Sequence, residues 1–224
     1  MRVSAETIYQ SLFVQARGAL KRELTAHLRT ERTRRRSQTG RVAAAACGAG
    51  RLAGTISIRE RPAEAEDRAV PGHWEGDLII GANNASAIGT LVERSTRFVM
   101  LIHLPGRRTA EEFYQALTPT IAALPDQLRR SLTWDQGTEM ARHHEFSLAT
   151  GIPVYFCEPA SPWMRGSNEN TNGLLRQYFP KGTNLAAHSQ AHLDAVADQL
   201  NSRPRETLDW DDPAQRLATL LTTS

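Results

Sequence analysis

Cysteines and long apolar runs are scarce in this sequence of 224 residues. Its two cysteines, Cys47 and Cys157, exclude a disulfide-rich scaffold and a cysteine-rich zinc site, and we therefore expect a protein of the reducing cytoplasm. The longest stretch without a charged residue, residues 78–92, is interrupted by glycine and asparagine. Because a membrane-spanning helix needs about 20 consecutive apolar residues, the sequence predicts no such helix.

Lysine is also rare, because all but two of the 27 basic residues are arginines. The charges are unevenly distributed: residues 1–62 carry 13 basic and 4 acidic side chains, whereas residues 63–224 carry 14 and 20. We interpret residues 1–62 as a basic helical arm, which includes a run of arginines at residues 32–36, and residues 63–224 as the main domain. The asymmetry indicates a polyanion partner held at one end, although a solvated tail accounts for the charge equally well.

The pattern changes at residue 73, where strand-like apolar runs begin. Three strands precede a helix, a strand, a helix, a strand and two helices, which is the order of a ribonuclease H-like α/β fold. We therefore expect a mixed five-stranded sheet that is flanked by helices. The predicted strands are residues 73–80, 87–93, 98–104, 131–135 and 152–157, and the predicted helices are residues 109–124, 143–150, 167–179 and 189–201.

Three acidic residues lie within these predicted elements. Asp77 lies inside the first strand among apolar residues, Asp135 ends the fourth strand, and Glu169 lies in the first turn of a helix. A buried carboxylate costs free energy unless it is paired or functional, and three carboxylates on one rim could hold two Mg²⁺ ions. Taken singly, each acid is better explained by a structural role. Glu75, two residues from Asp77 on the same strand face, is the rival for the first ligand, and we favour Asp77.

Three motifs surround these acids, namely residues 74–79, residues 133–139 and the long segment of residues 161–182. They closely resemble the IS-thirty family of bacterial insertion-sequence transposases, which belongs to the Asp-Asp-Glu transposases and retroviral-type integrases. The resemblance covers nearly the whole chain, and the third motif is long and specific. Asp135 and Glu169 are separated by 33 residues, which is the spacing typical of that family.

The resemblance implies a catalytic triad and several contacts with DNA. The implied ligands of Mg²⁺ or Mn²⁺ are Asp77, Asp135 and Glu169. Arg176, seven positions after the glutamate, matches a basic residue that many such enzymes carry, and Lys181 is a similar candidate. Trp163 could stack on a base, although core packing or a surface role is the alternative for each of these residues. The basic run supplies further candidates for phosphate contacts: Arg32, Arg34, Arg35 and Arg36.

The implied function is that of a transposase that cleaves and joins DNA at the ends of an insertion sequence. Metal-activated water would hydrolyse a phosphodiester, and the resulting 3′-hydroxyl would attack target DNA. The expected partners are terminal inverted repeats, target DNA and further copies of the chain in a homo-oligomer.

The family also sets an expectation for the start of the chain. Because family members carry helix-turn-helix segments before the catalytic domain, we expect residues 1–62 to be a remnant of that region in an N-terminally truncated chain. Two alternatives to an active transposase stay open. One is a catalytically silent DNA-binding remnant that interferes with the full-length transposase, and the other is a host nuclease of the same fold.

Overall fold

A six-stranded mixed sheet organises the part of the chain that the computed structural model describes, residues 52–106, 109–158 and 166–223. These residues fall within one of the two units into which the chain divides, residues 46–224. The strands are β1 (Ile56–Ser57), β2 (His73–Ile80), β3 (Ala87–Glu93), β4 (Val99–Leu104), β5 (Ser131–Trp134) and β6 (Val154–Phe156). Their spatial order across the sheet is β1-β6-β5-β2-β3-β4.

The two halves of the sheet differ in strand direction. β2, β3 and β4 are consecutive antiparallel strands, and the turn between β3 and β4 closes with a 2.8 Å hydrogen bond from the Glu93 amide to the Phe98 carbonyl. β5 lies parallel to β2, β6 lies parallel to β5, and β1 lies parallel to β6 at the edge. Parallel strands need long crossover connections, and helices supply them here.

Six α-helices accompany the sheet in the described residues: α1 (Ala63–Asp67), α2 (Ala110–Ala122), α3 (His143–Thr150), α4 (Gly166–Leu175), α5 (Gln190–Asn201) and α6 (Pro213–Thr223). The hydroxyl of Thr109 caps α2 by accepting from the Glu112 amide, and Ser189 caps α5 in the same way. α3 ends at Gly151, whose φ of 75° is the left-handed conformation that glycine adopts without strain. None of the described helices is long and apolar enough to cross a membrane.

The helices form one layer on each face of the sheet. On one face, α2 and α3 bury a core that includes Trp74, Phe113 and Trp134. On the other face, α4 and α5 pack through Leu175 and Leu193 on apolar residues of β2, β3 and β4. Trp74 and Trp134 are fully buried, so both tryptophans belong to the core.

The backbone of the edge strand β4 is hydrogen-bonded to side chains of α5. The Asn201 carboxamide accepts from the Val99 amide at 2.8 Å and donates to the Val99 carbonyl at 2.9 Å. At the other end of α5, Gln190 accepts from the His103 amide at 2.9 Å and donates to the Leu101 carbonyl at 2.8 Å. The two carboxamides therefore form hydrogen bonds with backbone amides and carbonyls of β4 that a neighbouring strand would otherwise use.

The structure corrects the predicted elements in three places. The sheet has six strands rather than five, because Ile56–Ser57 pairs with β6 from within the segment that we assigned to the arm. A strand of two residues has no alternating pattern from which it could be predicted. α1 and α6 were also not predicted. Finally, α4 ends at Leu175 rather than at residue 179, and the chain continues as a turn in which the Phe179 amide donates to the Leu175 carbonyl.

Candidate active site

Asp77 lies in β2, and Asp135 directly follows the neighbouring parallel strand β5. The register pairs Glu75 of β2 with Thr133 of β5, and each aspartate follows its paired residue by two positions. Side chains two positions apart share a face of the sheet, and adjacent strands lie about 4.8 Å apart. The two half-buried aspartates are therefore carried by the same face at the same level, with Asp135 just past the end of β5.

Helix α4, which carries Glu169, is docked on this face by two asparagines. Asn168 donates from its side chain to the Glu75 carbonyl at 2.9 Å, and Asn172 donates to Oδ2 of Asp77 at 2.8 Å. Asn168 also accepts from the hydroxyl of Thr90 at 3.0 Å. Because Glu169 follows Asn168 and precedes Asn172 by three residues, it shares the Asn172 flank of the helix, where its side chain is exposed.

A close approach on the opposite face fixes the backbone beneath the two aspartates. Gly76 precedes Asp77 and Trp134 precedes Asp135, and a Cβ atom on Gly76 would overlap the indole ring of Trp134. The ring packs against Phe113, with 5.0 Å between the ring centroids, and its Nε1 donates to Glu139 at 3.0 Å. Only glycine leaves room for this ring, so the pair holds β2 and β5 together where the aspartates lie.

The loop after β5 orients the Asp135 carboxylate. Its Oδ1 accepts a 2.9 Å hydrogen bond from the Gly137 amide, which is the contact of an Asx-type turn. Gln136 donates to the Cys157 carbonyl at 3.2 Å and so ties this loop to the chain that follows β6. The backbone of the loop that follows Asp135 thereby orients its carboxylate.

Glu75, the rival for the first ligand, has a structural role in the interior. Its side chain is completely buried and forms an ion pair with Arg94, while its other oxygen accepts from the Asn168 amide at 3.2 Å. Burial lowers the pKa of the Arg94 guanidinium, and the negative charge of Glu75 opposes that shift. These contacts occupy both carboxylate oxygens, which favours Asp77 over Glu75 as a ligand.

The donor set of the three acids consists of oxygen atoms, which suits a hard divalent cation. Asn172 adds a further oxygen, because its Oδ1 is buried and has no hydrogen-bond partner among the described residues. Within residues 52–106, 109–158 and 166–223, however, no three His, Cys, Asp or Glu side chains already form a metal-ligand cluster. The residues fit such an ion in kind, and the assignment of Asp77, Asp135 and Glu169 as its ligands stays a prediction.

The other predicted contact residues occupy different surroundings. The half-buried guanidinium of Arg176 donates to the carbonyls of Ile80 and Phe179, at 3.3 and 3.4 Å. Burial lowers the pKa of Arg176, and the negative charge of Asp77 opposes the shift. Lys181 is exposed beyond the end of α4. Contacts of these two residues with DNA stay predictions, and the remaining predicted contacts lie outside the described residues: Trp163, Arg32, Arg34, Arg35 and Arg36.

Sequence reasoning missed the two asparagines that dock α4. The signal was present, because Asn168 and Asn172 are four residues apart and share the helix side that carries the apolar Leu175. Polar side chains on the buried side of a helix must find hydrogen-bond partners. Here the partners are the backbone of β2 and the carboxylate of Asp77.

Comparison with known proteins defines the class of protein first. Residues 67–162 match the family model described as "Integrase core domain". A cryo-EM structure of a simian T-cell lymphotropic virus intasome, in complex with the PP2A regulatory subunit B56 gamma, superposes with a TM-score of 0.52. That match has 23% sequence identity and covers 65% of this chain and 54% of the other. The predicted ribonuclease H-like fold is thus confirmed, and the chain contains an integrase core domain.

Closer relatives identify the family. The transposase for insertion sequence element IS1086 of Cupriavidus metallidurans is 52% identical over 221 residues, which cover 99% of this chain and 64% of the relative. Transposase InsI for insertion sequence element IS30A of Escherichia coli is 46% identical over 219 residues, which cover 96% of this chain and 55% of the relative. The chain belongs to the IS-thirty family of insertion-sequence transposases, and it spans less than two thirds of the length of these two relatives.

Proposed function

We propose that this chain cleaves and joins DNA at the ends of an insertion sequence, with divalent metal ions held by Asp77, Asp135 and Glu169. Two observations support the proposal: the parallel pairing of β2 with β5, and the hydrogen bond that docks α4 on Asp77. The strand register puts the two aspartates side by side, and the hydrogen bond from Asn172 to Asp77 fixes α4 at the turn that carries Glu169.

Each residue of the proposed site has a defined task. Asp77 and Asp135 supply anionic oxygens from rigid strands, and hydrogen bonds from Asn172 and the Gly137 amide keep those carboxylates oriented. Glu169 supplies its carboxylate from the first turn of α4, where the helix dipole favours negative charge. When bound, Mg²⁺ or Mn²⁺ polarises the attacking oxygen and stabilises the leaving oxygen in phosphodiester chemistry.

The partners belong to the same proposal. We propose terminal inverted repeats and target DNA as substrates, other copies of this chain as partners on DNA, and the nucleoid as the place of action. In the arm, each phosphate that is neutralised by Arg32, Arg34, Arg35 or Arg36 would contribute about −0.9 to the slope of log K against log salt concentration. Arg176, Lys181 and Trp163 would contact DNA closer to the acids.

A strand-transfer assay on a pre-cut insertion-sequence end tests the proposal. The wild-type chain should join this end to target DNA when Mg²⁺ or Mn²⁺ is present and should be inactive after chelation. Asp135→Asn should remain folded and abolish joining, because it removes an anionic ligand at nearly constant volume. Asp126→Asn is the matched control, since Asp126 is an exposed aspartate that pairs with Arg129 before the start of β5.

The outcomes separate the candidate functions. Full activity of Asp135→Asn would show that the triad is wrongly assigned. A wild-type chain that binds DNA but does not join ends under any metal condition would instead be the silent remnant that interferes with an intact transposase. Metal-dependent cleavage without any joining would favour a nuclease.

A further inference from the structure

An open cavity of about 410 Å³ lies at the N-terminal start of α4, apart from the face that carries the acids. Three arginines line it, Arg68, Arg97 and Arg205, together with one carboxylate, that of Glu206. The arginines come from three separate parts of the chain, namely the end of α1, the turn between β3 and β4 and the loop after α5. The fold thus brings more positive than negative side chains to the wall of this cavity.

Helix α4 separates this cavity from the acids by its own width. Ser167, Asn170 and Thr171 line the cavity, whereas Glu169 and Asn172 lie on the other flank of the helix, toward Asp77. A helix with its side chains is about 10 Å across, so a strand that occupied both sites would cross the first turns of α4. The guanidinium of Arg97 donates to the hydroxyl of Ser167 and joins the two parts of the wall.

The backbone around the cavity is strained. Arg68 and Arg97 have φ values of 55° and 63°, and in the loop that carries Arg205 the residues Asp209 and Trp210 have φ values of 55° and 73°. Non-glycine residues rarely adopt this left-handed conformation, and such strain concentrates at functional sites. At Arg68 and Arg97 the chain keeps a long cationic side chain where glycine would relieve the strain.

The guanidinium groups in the cavity wall lack full compensation. Nε of Arg205 is buried and hydrogen-bonded to no described residue, while its terminal nitrogen donates to the Leu200 carbonyl at 3.1 Å. Burial lowers the pKa of Arg205, and the positive charge of Arg203 adds to this effect. Burial also lowers the pKa of Arg97, and the charge of Arg68 adds to it. An anion in the cavity would stabilise these desolvated charges.

We infer that this cavity binds a phosphate group of the DNA backbone, on a strand that crosses the start of α4 toward the catalytic acids. The inference rests on the proposed function for its choice of DNA over other phosphates. Arginine is the side chain best suited to such a group, because its planar guanidinium donates two parallel hydrogen bonds to phosphate oxygens. The positive end of the α4 dipole faces the same space.

The test compares DNA affinity between matched arginine variants of the full chain. Arg68→Gly and Arg97→Gly each remove a guanidinium and leave a residue that accepts positive φ. Arg142→Ala is the control: it removes the same charge on the opposite face of the sheet, where Arg142 pairs with Glu145 beside α2. Binding is measured on a labelled duplex of random sequence without divalent metal, so that no cleavage occurs.

We expect the double variant Arg68→Gly/Arg97→Gly to bind DNA about tenfold more weakly than Arg142→Ala, with a salt slope shallower by about one. Because Arg97 also contacts Ser167, the single variant Arg68→Gly is measured as well, since it keeps this contact. Its affinity for DNA should also be lower than that of Arg142→Ala. Arg97→Lys should recover part of the loss, since it restores the charge without the planar fork. Equal affinities for the double variant and the control would overturn the inference.

A second measurement distinguishes DNA from a free phosphate ion. If inorganic phosphate alone raises the melting temperature of the wild-type chain but not of the double variant, and both bind DNA equally, the cavity is a site for free phosphate and the DNA assignment is wrong. These measurements contain no metal and no cleavage step. If the chain fails in strand transfer, the proposed function is wrong. The affinity comparison would still show whether the cavity binds DNA.

Discussion

The side-chain amide of Asn172 donates a 2.8 Å hydrogen bond to the carboxylate of Asp77 and thereby fixes α4 against β2. Glu169 lies one turn earlier on the same flank of the helix, so this contact sets the distance between two of the proposed metal ligands. The two residues are 95 positions apart in the sequence. The geometry of the site therefore depends on a residue that is not itself acidic.

Replacing Asn172 should impair catalysis more than folding. Asn172→Leu keeps a similar volume but removes the hydrogen bond to Asp77, and a displacement of about 1 Å in a catalytic group can cost about 100-fold in rate. The loss of one hydrogen bond should lower the free energy of unfolding by only about 1 kcal/mol. Strand-transfer rates and urea unfolding measure the two effects. The control is Gln177→Leu, at an exposed position just after α4, and similar rates for both variants would contradict the role of Asn172.

Gly76→Ala should destabilise the domain, because the new methyl group overlaps the ring of Trp134. Overpacking of this kind costs about 1–3 kcal/mol, and the shift of β5 should also reduce strand transfer by displacing Asp135. Trp134→Leu, which removes the ring, should couple with Gly76→Ala in a double-mutant cycle of unfolding free energies. Gly166→Ala is the control for stability, since a Cβ at Gly166 meets no atom within 4 Å. Additive effects of the two substitutions would show that the contact is unimportant.

The buried ion pair of Glu75 and Arg94 should behave as a structural element. Glu75→Ala leaves the buried Arg94 without its partner and should lower the free energy of unfolding by about 3–5 kcal/mol. Arg59→Ala, which breaks the exposed pair with Glu158, should cost about 1 kcal/mol or less. Denaturant unfolding at neutral pH measures both values. A stable but inactive Glu75→Ala chain would instead identify Glu75 as a metal ligand.

Stability should fall as the pH decreases below the ordinary pKa of histidine. Burial lowers the pKa of His73 from 6.5, and the hydrogen bond with Glu64 only partly offsets this shift. The unfolded chain therefore binds the proton more readily than the folded chain, so stability is full above pH 6.5 and decreases below it. His73→Gln should reduce the slope of unfolding free energy against pH between about 6.5 and 5. The exposed His144→Gln should leave the slope as in the wild type, and identical slopes for both variants would refute the assignment to His73.

The antiparallel strands and the flanking helices could be predicted because their patterns are local. β2 and β3 were predicted at the observed residues, as were the bounds of α3, since each lies between turn-forming residues. β1 could not be predicted, because two residues gain their pairing only from β6, about a hundred residues later. α6 was missed although its sequence is amphipathic and begins at Pro213, a residue that favours the first turn of a helix.

The candidate site likewise has parts that the sequence predicts and parts that it does not. The acids were predicted as ligands from their motifs and spacing, and this assignment stays a prediction. The register of β2 and β5 is consistent with two of them lying side by side. The arginine cavity was not recognisable, because Arg68, Arg97 and Arg205 are far apart in the sequence and each looks like a surface charge. The role of Glu75 was equally hidden, since its partner Arg94 lies across a hairpin.

The carboxamides of Gln190 and Asn201 protect the β4 edge of the sheet against self-association through strand pairing. Another chain could add a strand beside β4 only after it had displaced both ends of α5 from the Val99, Leu101 and His103 backbone. Two copies of the protein are thereby kept from pairing edge to edge at β4, which is the contact from which fibrils grow. Any specific assembly of these copies has to be built through surfaces other than this strand.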